Sequence, residues 1–344
     1  MKRLRLILSV AALASTPGFA GAVETVPPTA SAAVPMQCSG KDMLAEMAAT
    51  DPAMHQRVVD EASKLENTEA ILWKVEKAGV EPSYLFGTIH ISDTRVTKLP
   101  EKAKAAFDQA KTVALEVVGT SQAAVAEAMG KSPQLMAYTD GQTLDAQITP
   151  EEFAKVQGLV SKAGMPGEAA KVLKPWLINM LLSFSDCQKQ QMAAGIEALD
   201  TQLEKAAIAR GATVVGLETA QGQLEAMASV PNDQQIQLLK SGLVYADRTD
   251  DMIETLVQMY LKRNTGATMA FQKALNEKTG QPPSALEGFT KILLVDRNAT
   301  MRDAAKPLFD KGNAFVAVGA LHLSGKTGLV ALLRDAGFTV TAVE

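Results

Sequence analysis

The sequence predicts an α/β fold: a central mixed sheet built from strands at both ends of the chain, with a large helical insertion between them. Three observations predict it. Short apolar runs bounded by Gly and Pro cluster at residues 70–118 and 213–343. The stretch between them, about residues 121–210, is helical in pattern and rich in Ala, Leu, Met and Lys. Helical segments alternate with the later strands, which favours crossovers within one sheet over a sandwich. The 344 residues, 47% hydrophobic and 21% charged, supply a sizeable core and exclude a collagen, a coiled coil or a wholly disordered chain. A net charge of −4 argues against nucleic acid as a partner.

Residues 1–22 read as a signal peptide. Lys2, Arg3 and Arg5 make a basic start, residues 6–14 a short apolar stretch, and Ala20-Gly21-Ala22 a small-residue cleavage site. The stretch is too short for a comfortable membrane span. There is no Arg-Arg pair for a twin-arginine route and no Cys at the cleavage site. A periplasmic or secreted protein is expected, with no stable membrane insertion once the signal is removed. Residues 23–37 are low in complexity and read as a flexible lead-in, which leaves residues 38–344 as the folded part. Cys38 and Cys187 are the only cysteines. An even count in an oxidising compartment, without CxxC spacing, predicts one disulfide.

Within the folded part, residues 42–49 and 53–65 read as helices. Strands over 70–75 and 84–89 flank the turn residues Gly79 and Pro82, which predicts a hairpin. Pro100 opens a helix over 99–110, and the apolar run 112–118 (TVALEVV) is the next strand. The helical stretch 121–210 is punctuated at 130–133, 164–167 and 174–175; its apolar run 176–184 is far too short to span a membrane and reads as a buried helix. Strand 213–217 follows, then helices over 221–276 with a break near 264–266. A helix over 286–309, a strand over 314–318, a short helix over 325–336 and a closing strand over 338–343 complete the chain.

The chain has three histidines. His55 lies in a polar helical context and reads as a surface residue. The other two share one context: Phe86-Gly87-Thr88-Ile89-His90-Ile91-Ser92 matches Val318-Gly319-Ala320-Leu321-His322-Leu323-Ser324. In each, an apolar strand runs into Gly and a His follows at the sheet's edge. Gly there permits a bend or the close approach of another group. The carboxyl ends of strands are where open α/β sheets bind ligands. A second repeat sits beside the first, since strand 113–118 carries Leu115-Glu116 and strand 213–217 leads into Leu217-Glu218. A glutamate inside VALEVV needs a partner: a metal or another cation, with Arg297 a candidate.

Two imidazoles and one or two carboxylates suit a divalent metal, as in His₂Glu zinc sites or carboxylate-richer Mn²⁺ and Co²⁺ sites. The chain has no HExxH, GxSxG, Walker A or GxGxxG signature. Gly325-Lys326-Thr327 looks like the tail of a phosphate-binding loop but lacks the upstream Gly at the required spacing.

The segments FGTIH, ALEVV, GIEALDTQLEKAAIARGATVVGLET, VDRN and VGALHLSGKTGLVALLRDAGFTV resemble the TraB/GumN family, which includes the Tiki proteins. The resemblance spans roughly residues 38–344. It implies a two-part α/β fold with paired GxxH motifs and a metal-dependent protease activity of the kind established for Tiki-type members. It places the family's histidines on His90 and His322 and its strand-borne glutamate on Glu116, puts Glu218 in the family pattern, and supplies Arg297 and Asn298 through VDRN. The pattern is also similar, more distantly, to erythromycin-esterase-like and ChaN-like haem-binding proteins, whose architecture the fold is expected to share.

The expectation is an exported metal-dependent hydrolase acting on peptide bonds. Its ligands would be His90, His322 and Glu116, with Mn²⁺, Co²⁺ or Zn²⁺ as cofactor. Glu116 and Glu218 would serve as the working carboxylates, and Arg297 and Asn298 would orient a carboxylate or stabilise an oxyanion. The partner is a peptide or small-molecule substrate. The alternatives are a non-catalytic periplasmic protein that binds haem or another ligand, and a metal-free ester hydrolase built on His and Glu.

Overall fold

A strand covered on both faces reads as an unbroken apolar run, and the segment AFVAVG is such a run. In the computed structural model, which describes residues 38–119, 127 and 129–344, it forms Ala314–Gly319, buried at every position. Numbered in chain order, the strands are β1 (Leu72–Glu76), β2 (Ser83–Thr88), β3 (Thr112–Leu115), β4 (Thr213–Gly216), β5 (Ala314–Gly319) and β6 (Thr339–Ala342). They make one mixed sheet in the order β4-β3-β5-β2-β1-β6. β2 and β3 both run parallel to β5, and β4 runs parallel to β3. β1 and β2 form the expected antiparallel hairpin, and β6 closes on β1. The front and the tail of the chain therefore share one sheet, with β5 inserted between β2 and β3.

Side-chain alternation along the strands builds a core on each face. Leu72, Phe86 and Phe315 point to one side, where Phe107, Leu203 and Val257 meet them. The Phe315 ring stacks on Phe86 at 5.8 Å and meets the edge of Phe107 at 5.5 Å between centroids. Trp73, Leu85, Val316 and Val318 point to the other side, against Met301, Phe309 and Leu333.

The helices that matter for the site are α1 (Met43–Thr50), α2 (Pro52–Ser63), α3 (Glu101–Gln109), α4 (Pro150–Lys162), α5 (Pro175–Leu182), α6 (Asp186–Ala193) and α7 (Leu199–Ala209). After β4 come α8 (Ala220–Ser229), α9 (Asn232–Val244), α10 (Thr249–Leu261) and α11 (Ala267–Lys278), then α12 (Arg297–Lys311) and, beyond β5, α13 (Leu329–Asp335). Asp42 and Asp51 cap α1 and α2 through side-chain acceptors, and Thr149 with Glu152 forms a capping box on α4. α4, α5 and α9 bury Val156, Trp176, Ile178 and Leu239 in a core of their own, so the helical insertion packs as a layer. Gly312 ends α12 at φ 75°, a conformation glycine adopts freely.

Three expectations need correction. Residues 137–149 form no helix; Asp140 instead accepts a bond from the Gln142 backbone N–H in a turn, and Ala137 bridges Leu173. The third strand stops at Leu115, so Glu116 stands just past its end rather than inside it. The helix expected over 286–309 is interrupted by a π-helix at Thr290–Asp296, directly before Arg297. Cys38 and Cys187 form the expected disulfide, closing a separation of 149 residues. Among the described residues no helix is long and apolar enough to cross a membrane. The signal peptide and lead-in, residues 1–37, and positions 120–126 and 128 of the helical stretch lie outside the described residues.

Candidate functional site

The four parallel strands end side by side, and each delivers one polar residue to the same edge. Across the sheet these are Glu218 after β4, Glu116 after β3, His322 after β5 and His90 after β2. His322 sits in a short 3-10 turn, Ala320–His322, that starts where β5 stops. Glu116 is the centre. Its Oε1 accepts a 2.6 Å bond from the Gly319 backbone N–H, and the Nε2 atoms of His90 and His322 stand 3.8 and 3.6 Å from that same oxygen. The two distant imidazoles therefore face one carboxylate oxygen.

Both rings are held from behind. His90 Nδ1 donates to Asp200 Oδ2 at 2.9 Å, and His322 Nδ1 donates to Asn298 Oδ1 at 2.6 Å. The Asn298 orientation is fixed by its own Nδ2, which donates to the Thr327 carbonyl. With Nδ1 carrying the proton, the neutral His322 ring keeps Nε2 free to accept, while His90, whose pKa Asp200 and Glu116 hold up, turns Nε2 to the Glu116 carboxylate. Such outer-shell oxygens on the far nitrogen are what metal-ligating histidines require.

The two glycines of the repeated motif serve different neighbours. A β-carbon on Gly87 would strike Leu323 Cδ1 at 2.7 Å, so this glycine lets β2 pack against the turn that carries His322. A β-carbon on Gly319 would enter the site itself. The Tyr260 hydroxyl, from α10, donates to the Gly87 carbonyl and pins this strand end.

The TraB/PrgY/gumN family pattern matches residues 71–342, from the first strand to the last. The chain belongs to the TraB/PrgY/gumN family. It is similar to the uncharacterized protein YbaP of Shigella flexneri, at 24% identity over 260 residues that cover 74% of this chain and 89% of that one. YbaP of Escherichia coli strain K12 is similar to the same degree, 24% identical over 255 residues, with 73% and 87% covered. No solved structure matches.

In this TraB-family chain the expected residues divide into two groups. His90, Glu116, Arg297 and His322 line a cavity of about 900 Å³. Glu218 and Asn298, expected to act on substrate, do not line it. Asn298 is spent on His322 and Thr327, as above. Glu218 accepts bonds from Arg297 Nε at 2.9 Å and Nη2 at 2.6 Å, while that Nη2 also donates to Glu116 Oε2 at 2.7 Å. Arg297 is thus the partner that two glutamates at strand ends require, and the π turn before it aims it at them. His55 lies half-buried on α2.

Electrostatics separates the two imidazoles. Burial pushes the His322 pKa down to about 4 against the pull of Glu116, helped by Arg297 and His90. Desolvation also opposes charge on His90, but Asp200 and Glu116 outweigh it and hold this ring well above 6.5. The His90 side chain is 58% exposed, against 6% for His322, and its open side faces the cavity. Burial would raise the Glu116 pKa; His90, His322 and Arg297 instead keep it well below the usual carboxylate range.

Sequence reasoning passed over Asp200, Thr88 and Gln223. Asp200 sits in the first turn of α7 and also accepts a 2.6 Å bond from the Thr88 hydroxyl. Gln223 Nε2 donates to Glu116 Oε2. Among the described residues, the one trio of Cys, His, Asp or Glu ligand atoms lying within 4.8 Å of one another is Cys38, Cys187 and Asp250, whose sulfurs are spent in the disulfide. The His90 and His322 Nε2 atoms therefore stand farther than 4.8 Å apart. His90, His322 and Glu116 are the side chains at this edge that would hold an ion.

Proposed function

We propose that this protein is an exported metal-dependent hydrolase that cuts a peptide or related carbonyl bond, with His90, His322 and Glu116 as the metal ligands. One observation carries the reading: two imidazoles from opposite ends of the chain turn Nε2 toward the same Glu116 oxygen, each oriented by a bonded oxygen behind it. A divalent ion such as Mn²⁺, Co²⁺ or Zn²⁺ supplies Lewis acidity, polarising a carbonyl and making water nucleophilic near neutral pH. The disulfide suits an oxidising compartment and supports export.

The chain's own groups do the rest. Asp200 and Asn298 hold the ring protons at Nδ1 of His90 and His322. Burial keeps His322 neutral, the form a ligand needs. Arg297 offsets the charge of Glu116 and Glu218 and faces the cavity, where its guanidinium stabilises negative charge growing on a carbonyl oxygen. Glu218 acts by fixing Arg297 rather than as a base.

The test is elemental analysis of protein purified without chelator, together with hydrolysis of a library of peptides and acyl amides in added Mn²⁺, Co²⁺ or Zn²⁺. Bound metal and metal-dependent cleavage, both lost in His90→Ala and His322→Ala, are expected. Equal cleavage by the unsubstituted protein and His90→Ala rejects the reading.

One observation favours a second reading. At neutral pH, without an ion, a neutral His322 stands beside a protonated His90, the split that acid–base pairs use. Cleavage that survives exhaustive chelation selects this metal-free hydrolysis.

A further inference from the structure

The cavity beside His90 and His322 continues away from the sheet edge among helices, and its wall there is mostly apolar, with Asn179, Ser241, Thr249 and Gln272 among its polar members. Met180 on α5, Met227 on α8, Leu238 on α9, Met252 and Leu256 on α10 and Leu294 in the π-helix line it, and each is only half-buried. Large apolar side chains left half-buried around one cavity mark a surface that an apolar ligand covers. Methionine, recurrent in this wall, adapts its unbranched thioether to a flexible partner. The volume of about 900 Å³ stands at the upper end of the range for small-molecule sites.

An extended peptide suits this wall poorly. Its amides need pairing, and the usual solution is a free strand edge. The edge strands of the sheet are β4 and β6, and no residue of either lines the cavity. Helices make up most of the wall, and their backbone groups are bonded within each helix. A hydrocarbon chain brings no polar group to satisfy.

We infer that the substrate is a fatty-acyl amide, its long unbranched chain seated on the apolar wall and its carbonyl carbon presented to His90, His322 and Glu116. The inference rests on the hydrolytic reading for the bond that is cut, and on the cavity alone for the seat of the chain. Water adds through its oxygen to the acyl carbon and the carbon–nitrogen bond breaks. The departing nitrogen takes the proton, and a fatty acid and a free amine leave with no change of oxidation state.

The experiment measures binding of octanoate, dodecanoate and hexadecanoate to the full chain by displacement of a fluorescent polyene fatty acid, below micellar concentrations. Affinity should rise at least about tenfold from octanoate to dodecanoate, and again to hexadecanoate, as each added methylene is buried. Met252→Trp and Leu256→Trp, which fill the wall, should weaken hexadecanoate at least about tenfold and leave octanoate within about threefold. Should a Trp variant fail to fold, the chain-length series in the unsubstituted protein decides alone. Equal affinity for all three acids, or no binding of any, overturns the inference. His90→Ala should keep the rise in affinity from octanoate to hexadecanoate, which the apolar wall sets, while losing hydrolysis of an N-hexadecanoyl amide. Length-dependent binding with no hydrolysis by the unsubstituted protein leaves the chain's seat standing and removes the hydrolytic reading.

Discussion

Gly319 stands so close to the His90 imidazole that a β-carbon on it would lie 3.1 Å from His90 Nε2 and equally near Glu116 Oε1. His322 Cδ2 would be 3.6 Å away. Gly319 has φ −55°, which any residue can adopt, so glycine is there for the space above it. That space is ringed by the three candidate ligands. Gly319→Ala should therefore fold normally yet lose about 10–100-fold in metal affinity, the usual cost of disturbing a metal site's surroundings. Calorimetric titration with Mn²⁺ or Zn²⁺, beside a thermal melt, reads both. Unchanged affinity would place the metal elsewhere.

Asp200 controls His90 through one bond to Nδ1. Asp200→Asn keeps an oxygen acceptor but removes the charge that holds the His90 pKa up. The His90 pKa should fall, as followed by NMR titration of the metal-free protein. Metal affinity should drop about 10–100-fold. A variant that shifts neither quantity makes Asp200 a bystander.

Arg95 ties the loop after His90 to α10, with Nη2 at 2.7 Å from Asp93 Oδ2 and 2.6 Å from Glu254 Oε2. Burial would raise the Asp93 carboxyl, but Arg95 lowers it on balance, and Arg95 likewise lowers Glu254 against the opposing effect of burial. Both folded pKa values lie below their unfolded ones. Their contribution to stability is therefore present above the unfolded values, about 4, and is lost as pH falls through the folded values. Urea melts across this range should show that acid limb, and Glu254→Gln should flatten it. Arg95→Met leaves Asp93 buried without its cation and should cost about 3 kcal/mol at neutral pH.

The strand ends were legible because an apolar run, a Gly and a His repeat in one context, and because Leu-Glu closes two further runs. Local pattern suffices for that. It does not say that β5 slots between β2 and β3, because parallel pairing between strands some 230 residues apart leaves no local trace. Asp200 was missed for the same reason: its partner His90 is 110 residues away. An acidic residue in a helix's first turn is ordinarily explained by the helix dipole. Glu218 reads as a working carboxylate in the sequence because it copies Glu116. Only the packing of Arg297 between them shows that Glu116 lines the cavity and that Glu218 does not. The π-helix escapes because seven residues are too few for a change in helical repeat to show in the sequence.

The Cys38–Cys187 bridge reaches the site through α6. Next to Cys187, Gln188 accepts a bond from the Ser92 N–H at 3.1 Å and donates to the Ser92 carbonyl at 3.2 Å, just beyond His90. The bridge closes a separation of 149 residues, and in the chain-entropy view a loop of that size contributes about 5 kcal/mol. Cys38→Ser with Cys187→Ser should therefore lower the unfolding free energy by about that amount. Urea melts of the double variant, beside the parent with and without reductant, measure it. Because Gln188 holds Ser92 by both backbone groups, the loop carrying His90 should loosen as well, and metal affinity should fall even where the variant stays folded. A loss of stability with affinity intact would mean that the Gln188–Ser92 bonds fix the loop unaided, and that the disulfide serves the fold alone.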